Sequence, residues 1–194
     1  MADLKISELG AVTDVQDTDE FVLARAGTTK KIDGVDLRAE MGGGGGLFDA
    51  YAKLSDQKTT GTGGGSASAT TWNVRTLQTE DSDADGIVSL SSNQFTLQAG
   101  RYRVFCQAPA HNVAQHKLRL RNVTDSTTVL NGISLYNTGV SNIATCVGEF
   151  TIASAKAFEL QHYTAGAQAG NGLGTEVGGG EVEVYAVVEI WRFA

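Results

Sequence analysis

Between residues 87 and 193 the chain repeats one arrangement: short runs in which apolar and polar residues alternate, separated by Gly, Asn, Asp or Ser. Side chains change face at every residue of a strand but follow a 3.6-residue period in a helix, so this pattern selects strands and excludes a helical bundle. In "QFTLQAGRYRVFCQ" (94–107), Gln94, Thr96 and Gln98 share one face while Phe95 and Leu97 take the other. Beyond Gly100, Tyr102, Val104 and Cys106 lie opposite Arg101, Arg103, Phe105 and Gln107. Strand runs are read over 72–77, 87–90, 94–97, 102–108, 116–122, 128–131, 143–152, 157–163 and 182–193. With no helical period between them they predict an all-β, jelly-roll β-sandwich. Twenty-four glycines against one proline provide the tight turns that such a fold requires.

Five consecutive glycines, 42–46, interrupt the chain ahead of this region. They have no side chains to pack and the greatest backbone freedom, so they mark a linker between an arm at 1–41 and a head at 47–194. In the arm, "EFVLAR" (20–25) and "TKKID" (29–33) flank "AGT" and predict a hairpin, and "GVDLRAE" (34–40) predicts two helical turns. A lone hairpin with one short helix is marginal in water, so the arm is expected to order by docking on something larger. Its candidate buried contacts are Ile6, Leu9, Phe21, Leu23 and Ile32.

The formal charge is −7 and no basic block is present, which opposes a nucleic-acid backbone as partner. "MADLKISELG" lacks the basic and apolar regions of a secretory signal, and no apolar stretch has the length of a membrane span, so the chain is expected to be made in a cytosol without membrane contact. Cys106 and Cys146 lie in strand-like runs and read as small buried hydrophobes, with a late-formed disulfide as the other reading.

Candidates for chemistry are few. "DSDADG" (81–86) matches the first half of a calcium loop and makes Asp81, Asp83 and Asp85 weak metal candidates; the twelfth position is Ser92, so the closing carboxylate is missing and an ordinary acidic turn is the simpler reading. His111, His116 and His162 have no metal-binding spacing. "GNGLG" (170–174) lacks the strand and helix of a dinucleotide fingerprint, and no nucleophile elbow or phosphate loop is present. Glu181 and Glu183 alternate as surface acids do. No catalytic residue and no cofactor are expected.

The last run, "EVEVYAVVEIWRF" (181–193), assigns Val182, Val184, Ala186, Val188 and Ile190 to the core. The opposite face carries Tyr185, Val187, Trp191 and Phe193 among glutamates, too aromatic for open water and too acidic for a core. That composition fits a subunit interface with a polar rim; burial beneath the chain's own loops is the alternative.

Two resemblances bear on function. "KISEL" (5–9) followed by "TDEFVLARAGTTKKIDGVDL" (18–37) resembles the N-terminal module of bacteriophage virion proteins such as tail fibres, head fibres and capsid decoration proteins, although Gly10 stands where that opening often has proline. The region from Trp72 to Phe193, including "DGIVSLSSNQFTLQAGRYRVFCQAPA", "FELQHY" and "YAVVEIW", is similar to the phage relatives of the tumour-necrosis-factor and complement-type jelly rolls. The resemblance implies a homotrimer built around a three-fold axis, with Tyr185, Val187, Trp191 and Phe193 at the trimer interface. It further implies a virion structural protein, and a short chain with no long shaft repeat favours a capsid decoration protein, of cement or head-fibre type, whose arm docks on the major capsid protein or another virion component. The alternative is a short tail fibre that recognises a host-surface glycan or protein.

Overall fold

The computed structural model describes residues 20–25 and 28–33 and the whole of 47–194. The chain divides into two compact units, 1–46 and 47–194. In the first, β1 (Glu20–Arg25) and β2 (Thr28–Asp33) form an antiparallel hairpin whose register sets Phe21 opposite Ile32 and Leu23 opposite Lys30. The helix expected at 34–40 and the contacts expected of Ile6 and Leu9 lie outside the described residues.

The second unit contains β3 (Phe48–Lys58), β4 (Thr71–Val74), β5 (Thr79–Ser82), β6 (Val88–Ser91), β7 (Gln94–Leu97), β8 (Gly100–His111), β9 (Ala114–Asn122), β10 (Thr127–Asn131), β11 (Leu135–Asn137), β12 (Ser141–Ile152), β13 (Lys156–Thr164) and β14 (Glu183–Phe193). One sheet runs β12-β8-β14-β3-β5; the other runs β10-β9-β13-β7-β6, with β11 beside β9 and β4 beside β13. Strands that follow one another in sequence repeatedly land in opposite sheets, and every pairing is antiparallel. This winding is a jelly-roll sandwich. No described helix is long and apolar enough to cross a membrane.

The two inner faces close on one core. Phe95 and Leu97 from β7, Leu118 and Leu120 from β9, and Phe158 and Leu160 from β13 meet Tyr102, Val104 and Cys106 from β8 and Val188 and Ile190 from β14. Rings from both layers lock the centre: Phe158 stacks on Phe95 at 5.6 Å between centroids and contacts Phe150 of β12 at 5.2 Å.

Several strand boundaries differ from the sequence reading. β3 is an eleven-residue strand where the sequence reading has no run, and it buries the polar Ser55 and Asp56. β4 stops at Val74, and β5 and β11 are short pairings without an alternating signature. β8 continues through Pro109 to His111; β14 pairs with β8 only as far as Gln107, so the proline lies where one side of the strand is already open.

One end of the sandwich is polar inside. Arg75 is fully buried and its guanidinium donates to the carbonyls of Pro109 (3.2 Å), Leu173 (2.8 Å) and Tyr185 (2.9 Å), tying β8, the 165–182 loop and β14 together. Burial lowers its pKa to about 10, with Asp56 opposing the shift. Nearby, His116 and His162 share a 2.9 Å hydrogen bond, and the other ring nitrogen of His116 meets Asn142 Oδ1 at 2.7 Å. Burial drives both imidazoles below the ordinary histidine value; for His162 the charge of Arg75 adds to it, and for His116 the bond to Asn142 works against it.

Candidate functional site

The outward face of the β12-β8-β14-β3-β5 sheet has a composition unlike a solvated wall. Strand pairing sets Glu149, Arg103, Trp191 and Tyr51 in one row, then Val147, Phe105, Glu189 and Lys53, then Thr145, Gln107, Val187 and Ser55. At one end Trp191 meets Tyr51 at 5.4 Å and Phe48 at 6.2 Å, and Phe48 meets Phe193 at 4.8 Å. Arg101 lies 4.1 Å over the Phe193 ring while its guanidinium donates to Glu149 at 2.7 Å. Arg192 grips Asp49 through both carboxylate oxygens at the margin, and this hydrogen bonding lowers the Asp49 pKa and raises that of Arg192.

Toward the other end the face turns aliphatic. Ile143 and Val147 on β12 and Val184 ahead of β14's core run are exposed, and Val177 is 86% exposed. A cavity of about 400 Å³ opens here between Pro109, Ile143, Val177, Val184, Tyr185 and Val187. Exposed apolar side chains grouped on one face in this way are a mark of interaction surfaces.

The bulge in β14 decides which residues reach this face. Between Val184 and Ala186 the register with β3 slips by one, so Tyr185 and Ala186 both turn inward. Val187, Trp191 and Phe193 sit on the outer face as the alternation predicts. Val182 and Val184, expected in the core, are exposed instead, since the phase of the alternation is reversed before the bulge. Tyr185, expected at the trimer interface, is 3% exposed: its ring packs on Gly174, its hydroxyl donates to Thr62 O at 2.7 Å, and its pKa is pushed up to about 12 by burial and the nearby acids. For this residue the covering by the chain's own loops is what occurs. Glu183 is also folded in, accepting from the backbone N–H groups of Gly61, Val177 and Gly178, which hold its carboxyl below the usual range.

Phe48, Tyr51, Phe105, Ile143 and Val147 join the face without having been singled out. The alternation in β8 and β12 carried the signal for three of them; Tyr51 and Phe48 fall in β3, where the sequence reading has no strand. Of the weak metal candidates, Asp83 uses both oxygens to cap the turn, accepting from Ile87 N (2.8 Å) and Val88 N (2.9 Å), and Asp81 accepts from Gln57 at 2.6 Å. Asp85 lines a separate cavity of about 260 Å³ beside Phe48, Tyr51 and Trp191. No group of three or more His, Cys, Asp or Glu placed to hold a metal occurs among the described residues. Cys106 and Cys146 are buried, unbonded and directly opposite one another across β8 and β12.

Fold and face define a class: a jelly-roll domain with one sheet face lined by half-buried aromatic and partly exposed aliphatic side chains. No protein family and no curated protein matches the sequence. Among solved structures, the globular domain of a zebrafish complement 1qA protein aligns with a TM-score of 0.49 at 14% identity, over 73% of this chain and 95% of that one. Murine APRIL aligns with a TM-score of 0.49 at 11% identity, over 74% of this chain and 98% of that one.

Proposed function

We propose that the 47–194 unit assembles as a homotrimer through this face, and that the protein is a phage virion structural protein of the capsid-decoration type, anchored by residues 1–41. The observation that carries the assembly is the outward band of half-buried Tyr51, Phe105, Val187, Trp191 and Phe193 beside the exposed Val147. A second apolar patch supports a cyclic arrangement. Ile133, Tyr136 and Val140 are exposed near the β12 edge, where Ile133 N donates to Thr145 O. Two different patches on one molecule make a head-to-tail contact, and such contacts close into rings when the rotation allows.

The virion role rests on the resemblance of the arm and on the hairpin at 20–33. Three weak arms gathered by one head raise each other's effective concentration, so the assembly holds the particle far more tightly than one hairpin can. The major capsid protein is the proposed docking partner. Light scattering of the full chain tests the assembly: a mass about three times the 20.3-kDa chain is expected, and a monomer at micromolar concentration overturns it. Copy number in the intact particle tests the role. Tens to hundreds of copies per capsid are expected of a decoration protein, whereas a few copies at the tail favour the receptor-binding alternative.

A further inference from the structure

The outward face of the other sheet is built differently, and charge pairing singles it out. Six of the ten lysines and arginines in the 47–194 unit sit against a carboxylate. A seventh, Arg75, is spent on backbone carbonyls inside. The remaining three are Lys117, Arg119 and Arg121, with no ion pair among the described residues. They occupy alternate positions of β9 and therefore share one face, roughly 7 Å apart along the strand. The 47–194 unit has thus left its unpaired bases in a single row.

An aromatic surface adjoins them. Trp72 of β4 pairs in register with Tyr163 of β13, their rings 5.5 Å apart edge to face. The Arg119 guanidinium lies 3.9 Å over the Trp72 ring, and the Lys117 ammonium is 6.0 Å from it. Arg119 is fixed in place, since its Nε donates to Gln161 at 2.6 Å and a terminal nitrogen donates to Thr128 at 3.3 Å. Its fork is held with no carboxylate at ion-pair distance among the described residues, although the charge of Glu159 acts on it from farther off. Glu159, the one carboxylate beside this row, is largely buried and takes hydrogen bonds from Gln94 and Gln161. Next to Lys117 and Tyr163 a cavity of about 280 Å³ runs under Leu135, close to the ~300 Å³ at which small-molecule sites begin.

We propose that this face binds a carboxylated oligosaccharide. A preorganised guanidinium matches a carboxylate in two-point geometry. The negative faces of Trp72 and Tyr163 attract the C–H edges of a sugar ring. The exposed Thr128 hydroxyl beside Arg119 can donate to or accept from a sugar hydroxyl, whereas a phosphodiester oxygen can only accept. A nucleic-acid strand is therefore the less suited ligand. This site lies on the sheet opposite the proposed trimer face and goes beyond the decoration role.

Calorimetric titration of the full-length protein tests it with three probes: a trigalacturonate, its fully methyl-esterified form and a hexathymidylate. The acid is expected to bind, with the ester and the oligonucleotide each at least about tenfold weaker. Arg119→Ala and Trp72→Ala are expected to weaken the acid by about tenfold or more. The Lys117 and Arg121 side chains make no hydrogen bond or ion pair among the described residues, so the double variant Lys117→Gln/Arg121→Gln leaves the fold unburdened and is expected to lose affinity to a similar degree. Lys156→Gln, at the far end of β13, is expected to bind as the parent does. The proposal is overturned by no binding of the acid at millimolar concentration, by equal binding of the ester, by an oligonucleotide that binds as tightly, or by a double variant with parental affinity.

Discussion

Removing the Arg75 side chain measures how much the polar end of the sandwich contributes to stability. In Arg75→Met the stem volume is refilled but the fork is lost. Tyr185 is the bulged residue of β14, outside the β3 ladder, and Leu173 is in a loop, so their carbonyls lose the short 2.8 and 2.9 Å bonds outright; the 3.2 Å bond to Pro109 is weaker. A buried acceptor left without a partner costs about 1–3 kcal/mol, which places the two strong bonds at about 4 kcal/mol together. For a unit of this size that corresponds to a drop in Tm of about 10 °C. The assay is urea and thermal unfolding of the full chain by circular dichroism at one fixed concentration, since oligomerisation makes the midpoint depend on concentration. Arg75→Lys, which keeps the charge and part of the donor set, is expected to lose about half as much. If Arg75→Met unfolds within about 1 kcal/mol of the parent, the guanidinium is not what holds these three segments together and the reasoning fails.

Other outcomes follow from the same structure. His116 and His162 have lowered pKa values when folded, so the unfolded chain binds protons first; stability is complete above about pH 6.5 and declines as the pH falls toward the folded values. Urea midpoints at pH 7.5 and 5.5 check this, and equal midpoints contradict it. Gly174 has φ of +138°, and a methyl group there would overlap the Tyr185 ring, so Gly174→Ala is expected to destabilise by about 1–3 kcal/mol, read as a lower urea midpoint. Val187→Asp sets a charge in the middle of the outward face and is expected to give a folded monomer by light scattering; an unchanged trimer would place the interface elsewhere.

What the sequence discloses depends on how locally each feature is determined. The faces of β7 and β8 are legible because Phe95, Leu97, Tyr102, Val104 and Cys106 alternate without interruption and are all fully buried or nearly so. The β1–β2 hairpin is legible for the same reason of local order, with the loop between its strands only two residues long. The alternation of β14 misleads ahead of Ala186, because one inserted residue reverses the phase and nothing in "EVEVYAV" announces the insertion. Arg75 reads as a surface base in "TWNVRTLQ", and its burial is set by carbonyls from residues 34 to 110 positions away. The stacking of Arg119 on Trp72 is likewise invisible until β13 brings β4 and β9 to either side of itself. Candidate sites made by strand pairing at long range are therefore read last, while walls are read first.

Phe48 and Phe193 are register partners, so the 47–194 unit is entered and left at the same end of two neighbouring antiparallel strands. Tension applied between these two points peels the β3–β14 ladder apart one rung at a time, which requires little force. Tension between residue 47 and the far loops pulls along the strands and must break many rungs together. Under the proposed anchoring through residues 1–41, a pull on the leading end against restrained distal loops would load the unit in the direction in which it is mechanically strong.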